Sequence, residues 1–167
     1  MRFLILAATA ASALALCQCS PKADSTATSS SAASASTASS FAYDIGIDLT
    51  PTALAAVKAK GQKVTVSVMY YGNVTPASQA LADPKDGTLH LNTDVVQVDA
   101  ADHQTVHMTG AGANAPHLKD ITGQKPLALL IVYAGKTPET SSIRCTDFQD
   151  YVSNAQQSPV TLKCDAA

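Results

Sequence analysis

A stretch near the amino terminus is built almost entirely of small side chains, and it limits where a fold can form. Between Ser20 and Ser40, eighteen of the twenty-one residues are Ser, Ala or Thr. Because the stretch has no apolar periodicity, it cannot bury enough surface to offset the entropy of ordering. The sequence therefore predicts a disordered tether over residues 17–40 and one folded domain over residues 41–167, a length typical of a single domain.

The residues before the tether have the pattern of an export signal. Arg2 supplies a positive charge, and the fourteen residues from Phe3 to Leu16 are all apolar or small. A membrane-spanning helix needs about 20 apolar residues. A positive start followed by a shorter apolar core is typical of a secretory signal peptide. Residues 1–16 are therefore predicted to be a signal peptide.

The end of the signal resembles a known processing site. Leu14-Ala15-Leu16-Cys17 is similar to the lipobox of bacterial lipoproteins, whose cysteine becomes the lipid-modified first residue. The pattern is atypical at Leu16, where the family has Gly, Ala or Ser. The resemblance implies an exported protein held by a lipid on Cys17, either periplasmic or associated with the outer membrane of a bacterium. It covers about twenty residues and implies no fold.

Two alternatives to acylation of Cys17 stay open. Cys19 is a second candidate for the lipid, although Gln18 before it also departs from the pattern. Ala13-Leu14-Ala15 has the small-x-small form that ordinary signal peptidase cleaves. Cleavage after Ala15 would give a protein that begins at Leu16 without a lipid.

The charge of the domain limits its partners. From Phe41 onward there are nine Lys or Arg and twelve Asp or Glu side chains, which gives a net charge of −3. A nucleic-acid-binding domain needs a basic face, so no nucleic-acid partner is expected. Charged residues make up only 14% of the chain, against about 25% in typical proteins. The surface is therefore expected to be largely polar and uncharged.

The two cysteines of the domain are expected to form a disulfide. Cys145 and Cys164 are the only Cys residues after the tether, and export would place them in a compartment where disulfides persist. A bond between them closes a loop of about 20 residues, which stabilises the fold by roughly 3 kcal/mol in the chain-entropy account. Neither has the CxxC spacing of a metal or redox site.

Alternating apolar residues predict strands along the domain. In Phe41–Leu49 five apolar side chains alternate with Ala, Asp and Gly, which is typical of a half-buried strand. An unbroken apolar run at Leu127–Ala134 predicts a central strand that is covered on both faces. The other predicted strands are Val64–Tyr70, Thr88–Asn92, Asp94–Asp99, Thr105–Thr109 and Val160–Cys164.

Two short helices complete the prediction. Thr50-Pro51 is typical of a helix start, and Gly61 of a helix end. Thr146–Gln149 has the spacing of a capping box, followed by a helical stripe from Phe148 to Ala155. The fold class is therefore mainly β: a small β-sandwich of six or seven strands, immunoglobulin-like or transthyretin-like, with two short helices and one disulfide.

All four histidines fall between residues 90 and 117, in a region without Lys or Arg that also contains several Asp residues. Imidazole and carboxylate groups suit zinc or copper, so His90, His103 and His107 are candidate metal ligands. His103 and His107 would stand roughly 13 Å apart on one strand, so one metal would need a ligand from a neighbouring strand. The alternatives are a pH-sensitive partner surface and plain solvated strand faces.

Tyr70 and Tyr71 are adjacent at the end of a predicted strand. Alternation places one ring in the core and the other outside, and an exposed Tyr is a common anchor in interfaces. The pair is therefore a candidate interface site.

The remaining motifs do not indicate catalysis. The chain has no G-x-S-x-G elbow, and Gly110–Asn114 lacks the strand and helix that flank a nucleotide loop. No enzymatic activity and no cofactor are therefore expected. The sequence favours an envelope protein that binds another protein, as an assembly accessory or an inhibitor or immunity-type protein. The alternative is metal or small-ligand binding through the His/Asp-rich region 88–117.

Overall fold

A computed structural model describes residues 40–167, and this part of the chain forms two four-stranded β-sheets. The strands are β1 (Tyr43–Leu49), β2 (Val64–Asn73), β3 (Thr88–Val98), β4 (His103–Met108), β5 (Leu127–Ala134), β6 (Ile143–Cys145), β7 (Phe148–Tyr151) and β8 (Val160–Ala166). The predicted mainly β sandwich is confirmed, with eight strands instead of six or seven. The predicted signal peptide, the tether and the acylation candidates Cys17 and Cys19 lie outside the described residues.

The strand order brings the two ends of the domain together. The first sheet has the order β4-β1-β8-β6, and the second sheet has the order β3-β2-β5-β7. Neighbouring strands are antiparallel except β1 and β8, which run parallel from the Ile45–Val160 pair to the Leu49–Cys164 pair. The first sheet therefore depends on its first and last strands.

Period-two alternation builds the core between the sheets. Ile45 and Ile47 of β1 are fully buried, and so are Val66 and Val68 of β2. Leu130 of β5 is also buried, in register with Val68. Each of these strands therefore gives every second side chain to one apolar layer, as the sequence pattern predicts.

Two α-helices and four 3₁₀ helices connect the strands: α1 (Pro51–Ala59), α2 (Val152–Gln157), Pro76–Leu81, Pro116–Asp120, Thr122–Gln124 and Pro138–Thr140. The predicted start of α1 is confirmed, because the Thr50 hydroxyl accepts a hydrogen bond from the Ala53 N–H at 3.4 Å. Gly61 follows α1 with φ 59°, as expected of a residue that ends a helix. Within residues 40–167, no helix is long and apolar enough to cross a bilayer.

The region predicted as two short strands is one long strand. β3 runs without a break from Thr88 to Val98, and a change of register opposite Tyr70 and Tyr71 marks a β-bulge. β2 has ten residues, so it offers β3 a partner along its whole length. A bulge absorbs the extra residue without ending the pairing, which explains why the polar turn expected near Asp94 does not form.

Two further predictions are wrong around β5. Its side chains alternate between buried and more exposed, and Ile131 is 39% exposed, so the strand is not covered on both faces. Residues Phe148–Tyr151, predicted to open a helix, form β7 and pair with β5 instead. The edge of β5 thereby gains a hydrogen-bonded partner, and this tertiary pairing overrides the local helical pattern. Helix α2 begins only at Val152.

The predicted disulfide between Cys145 and Cys164 is confirmed. Cys145 belongs to β6 and Cys164 to β8, and the two are direct partners across the sheet. The bond therefore joins two neighbouring strands.

Candidate functional site

The first sheet presents ionisable side chains to solvent. Strand pairing places His107 beside Asp44 and His103 beside Asp48, and Lys163 lies on the other side of Asp48. Arg144 and Asp165 are partners at the far edge. We call this surface the charged face; its ionisable members are Asp44, Asp48, His103, His107, Arg144, Lys163 and Asp165.

Two carboxylate–imidazole pairs lie on the charged face. Nδ1 of His103 is 2.8 Å from Oδ1 of Asp48, and Nδ1 of His107 is 2.8 Å from Oδ1 of Asp44. The hydrogen bond that His103 makes to Asp48, followed by the charge of the carboxylate, raises the pKa of His103 above its ordinary value. The side chain of His103 is 75% exposed, so solvent screens the charge of this pair.

The other two histidines lie elsewhere. His90 is on β3 of the second sheet, with Nε2 3.4 Å from Oδ2 of Asp86 and its ring centroid 6.4 Å from that of Tyr71. In the helix Pro116–Asp120, Nδ1 of His117 is 2.9 Å from Oδ2 of Asp120, and this contact lowers the pKa of Asp120. Each of the four histidines therefore contacts a different aspartate.

The structure does not bring His90, His103 and His107 into one group. His103 and His107 share the charged face but contact different aspartates, and His90 lies on the other sheet. Within residues 40–167, no three His, Cys, Asp or Glu side chains are grouped in a way that could hold a metal ion. The metal site expected from the sequence is not assembled from these residues.

The second sheet has an outward surface of the opposite character. Its side chains are apolar, hydroxyl or amide apart from His90 at one end, and none is Asp, Glu, Lys or Arg. We call this surface the neutral face; its members are His90, Thr93, Val95 and Gln97 of β3, Thr65, Ser67, Met69 and Tyr71 of β2, Leu127, Leu129, Ile131 and Tyr133 of β5, and Gln149 and Tyr151 of β7. The two outer surfaces of the sandwich therefore differ in charge.

The centre of the neutral face is a short apolar row. Ser67 of β2 is in register with Val95 of β3 on one side and with Ile131 of β5 on the other. Val95 is 57% exposed, Ile131 39% and Tyr151, on β7, also 39%. Three of the four large hydrophobic side chains that the described residues expose therefore lie on this one surface.

Tyr70 and Tyr71 do not form the exposed anchor that the sequence suggested. The predicted alternation holds, because Tyr70 belongs to the core and Tyr71 lies on the neutral face. Tyr71 is nevertheless only 8% exposed. The edge of its ring meets His90, and its hydroxyl accepts a hydrogen bond from Nε2 of Gln149. The neighbouring strands therefore cover the ring, and it cannot serve as a protruding contact.

A buried polar cluster fills one end of the core. The Tyr70 hydroxyl donates to Oδ2 of Asp94 at 3.3 Å, and the Gly112 N–H donates to Oδ1 at 2.9 Å. Burial raises the pKa of Tyr43 to about 12, and burial likewise raises the pKa of Tyr70. Both phenols therefore stay protonated near neutral pH. The cluster fastens the loop that contains Gly112 to β3, which is a structural role.

Sequence reasoning missed Val95, Ile131 and Tyr151 as candidate contact residues. Ile131 was assigned to a strand covered on both faces, and Tyr151 to the apolar stripe of a helix. The signal that could have identified them is period-two alternation: Leu127, Leu129 and Ile131 share one face of β5 with no charge among them. That pattern becomes a surface only once the pairing with β2 and β3 is known.

No family model, no curated protein and no solved structure matches this chain.

Proposed function

We propose that this chain is an exported, lipid-anchored protein of a bacterial cell envelope that works as a protein-binding module. The neutral face is the binding surface in this proposal. The function falls into one of two classes, an accessory in envelope assembly or an inhibitor or immunity-type protein that blocks another protein. The lipid on Cys17 holds the domain at a membrane, and the tether lets it reach a partner.

The observation that carries the proposal is the exposed apolar row on the neutral face. The outer face of an antiparallel sheet is normally polar, because it meets water. Here Val95 and Ile131 stand exposed on both sides of Ser67, and no formal charge lies on the face around them. Exposed apolar surface with a polar surround marks a protein contact.

The compartment in the proposal is supported by two independent features. The signal-like residues 1–16 precede a cysteine at the position where lipoproteins are acylated. The domain contains a disulfide between Cys145 and Cys164, and such bonds persist mainly in oxidising compartments outside the cytoplasm.

Photo-crosslinking in living cells tests the binding surface. Val95 is replaced by the photoreactive residue benzoylphenylalanine in the full-length chain. The chain is produced in a bacterium whose genome encodes this protein. The matched control carries the same group at Thr105, which is exposed on the charged face. We expect a reproducible crosslinked species from position 95 and none from position 105. Absence of any species from position 95, or equal yields from both, would overturn the assignment of the neutral face.

Mass spectrometry of the mature amino terminus tests the anchor. We expect diacylglycerol on Cys17, recovery in the membrane fraction, and release of a Cys17→Ala variant into the soluble fraction. A Cys19→Ala variant is the control and should stay on the membrane. A mature chain that begins at Leu16 without a lipid would remove the anchor from the proposal and leave the binding surface unaffected.

A further inference from the structure

We infer that the occupant of the neutral face is a second copy of this chain, packed face to face so that two sandwiches form a symmetric dimer. This inference rests on the proposed function, since it names the partner for the same surface. Of the two classes proposed there it fits the assembly accessory, because a neutral face covered by a second copy is not free to block another protein.

Charge is the first argument for a second copy. In a symmetric dimer both copies contribute the same patch, so a patch whose charges are mostly of one sign brings like charges together. The domain has a net charge of −3, and a contact surface without formal charge adds nothing to the repulsion between two copies. The neutral face contains no Asp, Glu, Lys or Arg and avoids that cost.

Shape is the second argument. Ser67 is a small side chain in register between the two larger, exposed side chains of Val95 and Ile131. Strands are spaced about 4.8 Å apart, so these two side chains form ridges about 10 Å apart with a groove between them. Sheets that pack face to face interdigitate their side chains. The side chain of Val95 or Ile131 of one copy therefore fits into the groove over Ser67 of the other copy.

The ends of the face have the polar rim expected of an interface. At the start of β2, Nζ of Lys63 is 3.2 Å from Oδ1 of Asp99, and both side chains are more than half exposed. At the other end His90 contacts Asp86. Interfaces commonly surround an apolar centre with such hydrated pairs, and these pairs limit how far the contact extends along the strands.

The area of the face is small for a specific interface. Four strands about 4.8 Å apart and on average about 26 Å long project roughly 500 Å² per copy. The pair then buries about 1,000 Å², which is near the lower limit for specific interfaces. We therefore expect a dissociation constant in the micromolar range. Confinement of both copies to one membrane would raise their effective concentration and favour the dimer.

Analytical ultracentrifugation of the exported chain tests the inference. Both acylation candidates are removed by Cys17→Ala and Cys19→Ala, so that the chain is studied in water. One variant adds Val95→Lys and Ile131→Lys on the neutral face. The matched control adds Thr105→Lys and Thr161→Lys, two exposed positions on the charged face. Both variants gain the same charge.

We expect the parent and the control to shift from monomer to dimer as concentration rises through the micromolar range. The neutral-face variant should stay monomeric at concentrations at least ten times higher. The crosslinked species from position 95 should then contain only this chain, at twice its mass. This second readout needs only a single substitution at an exposed site and holds even if the double lysine variant fails to fold.

Three results would overturn the inference. The first is a parent that is monomeric at every concentration, the second is equal dimerisation of the two variants, and the third is a species crosslinked at position 95 that contains another protein. The last result would leave the proposed function standing with a different partner. Absence of any crosslinked species from position 95 would contradict both the dimer and the proposed function of the neutral face.

Discussion

Asp94 accepts a hydrogen bond from the hydroxyl of Tyr70, which is buried in the core and lies 3.3 Å from Oδ2. The other donor is the N–H of Gly112, 2.9 Å from Oδ1. One carboxylate on β3 therefore ties the interior of β2 to the loop that covers the end of the sandwich.

Replacing Asp94 should therefore destabilise the domain. Asp94→Ala leaves the buried Tyr70 hydroxyl and the Gly112 N–H without this acceptor, and hydrogen bonds to a charged group contribute about 1.5–3 kcal/mol each. We expect a loss of about 3 kcal/mol in the free energy of unfolding, measured in urea. Asp94→Asn keeps an acceptor of the same shape and should lose less than half as much. Equal losses would show that the hydrogen bonds are not the cause.

Two glycines with similar backbone angles should respond differently to alanine. Gly110 has φ 67°, and a Cβ there would lie 2.2 Å from the carbonyl oxygen of Phe41. Gly87 has φ 74°, but nothing lies within 4 Å of its Cβ position. Gly87→Ala should cost about 1 kcal/mol, the conformational penalty alone. Gly110→Ala should cost at least about 3 kcal/mol, because the backbone must also move.

Thermal and urea unfolding of both glycine variants measure this difference. The Gly87→Ala variant is the control for the backbone angle. If the two variants lost equal stability, the close contact between residue 110 and Phe41 would not govern the tolerance of that loop.

Reduction of the disulfide should weaken the fold by a measurable amount. Cys145 and Cys164 are 19 residues apart, and a loop of this size is expected to stabilise the fold by about 3 kcal/mol. We expect the urea midpoint to fall when dithiothreitol is added. A variant with Cys145→Ala and Cys164→Ala should start from the lower stability and show no response to dithiothreitol. A response in that variant would place the redox-sensitive bond elsewhere.

The pair of His103 and Asp48 makes a pH-dependent contribution to stability. The pKa of His103 is raised in the folded state above 6.5, chiefly by its hydrogen bond to Asp48. Protonation is therefore favoured by folding, and the contribution is fully present below pH 6.5. It is lost as the pH rises through the folded-state pKa. The effect is small because the side chain is largely exposed.

NMR titration of the His103 ring measures this shift directly. Asp48→Asn removes the charge and should lower the pKa of His103 towards 6.5. Asp165→Asn removes a charge from the same face but next to Arg144, and it should leave the titration of His103 unchanged. A pKa of His103 that is insensitive to Asp48→Asn would contradict the contact.

The parts of the fold that follow from local pattern could be predicted from the sequence. β1 alternates along its whole length, and Thr50-Pro51 specifies the start of α1 through groups within four residues of each other. The disulfide could be predicted because the domain has only two cysteines. In each case the deciding residues are close in sequence or have no competitor.

The wrong predictions concern residues whose structure depends on a partner that is distant in the sequence. Phe148–Tyr151 fits a helix locally, but the open edge of β5 converts it to a strand. Tyr71 is covered by His90 and Gln149, which lie 19 and 78 residues away. The neutral face has the same origin, since Val95 and Ile131 share a row only because each pairs with Ser67. No periodicity in a single segment contains that information.

The parallel pairing of β1 with β8 has a consequence for how the chain is made. β1 is the first strand to leave the ribosome and β8 is the last, yet five residue pairs join them in the middle of the first sheet. A nascent chain has β4 available for one edge of β1 but nothing for the other, and contacts of such long sequence separation form slowly. The first sheet therefore cannot be completed until β8 has been synthesised.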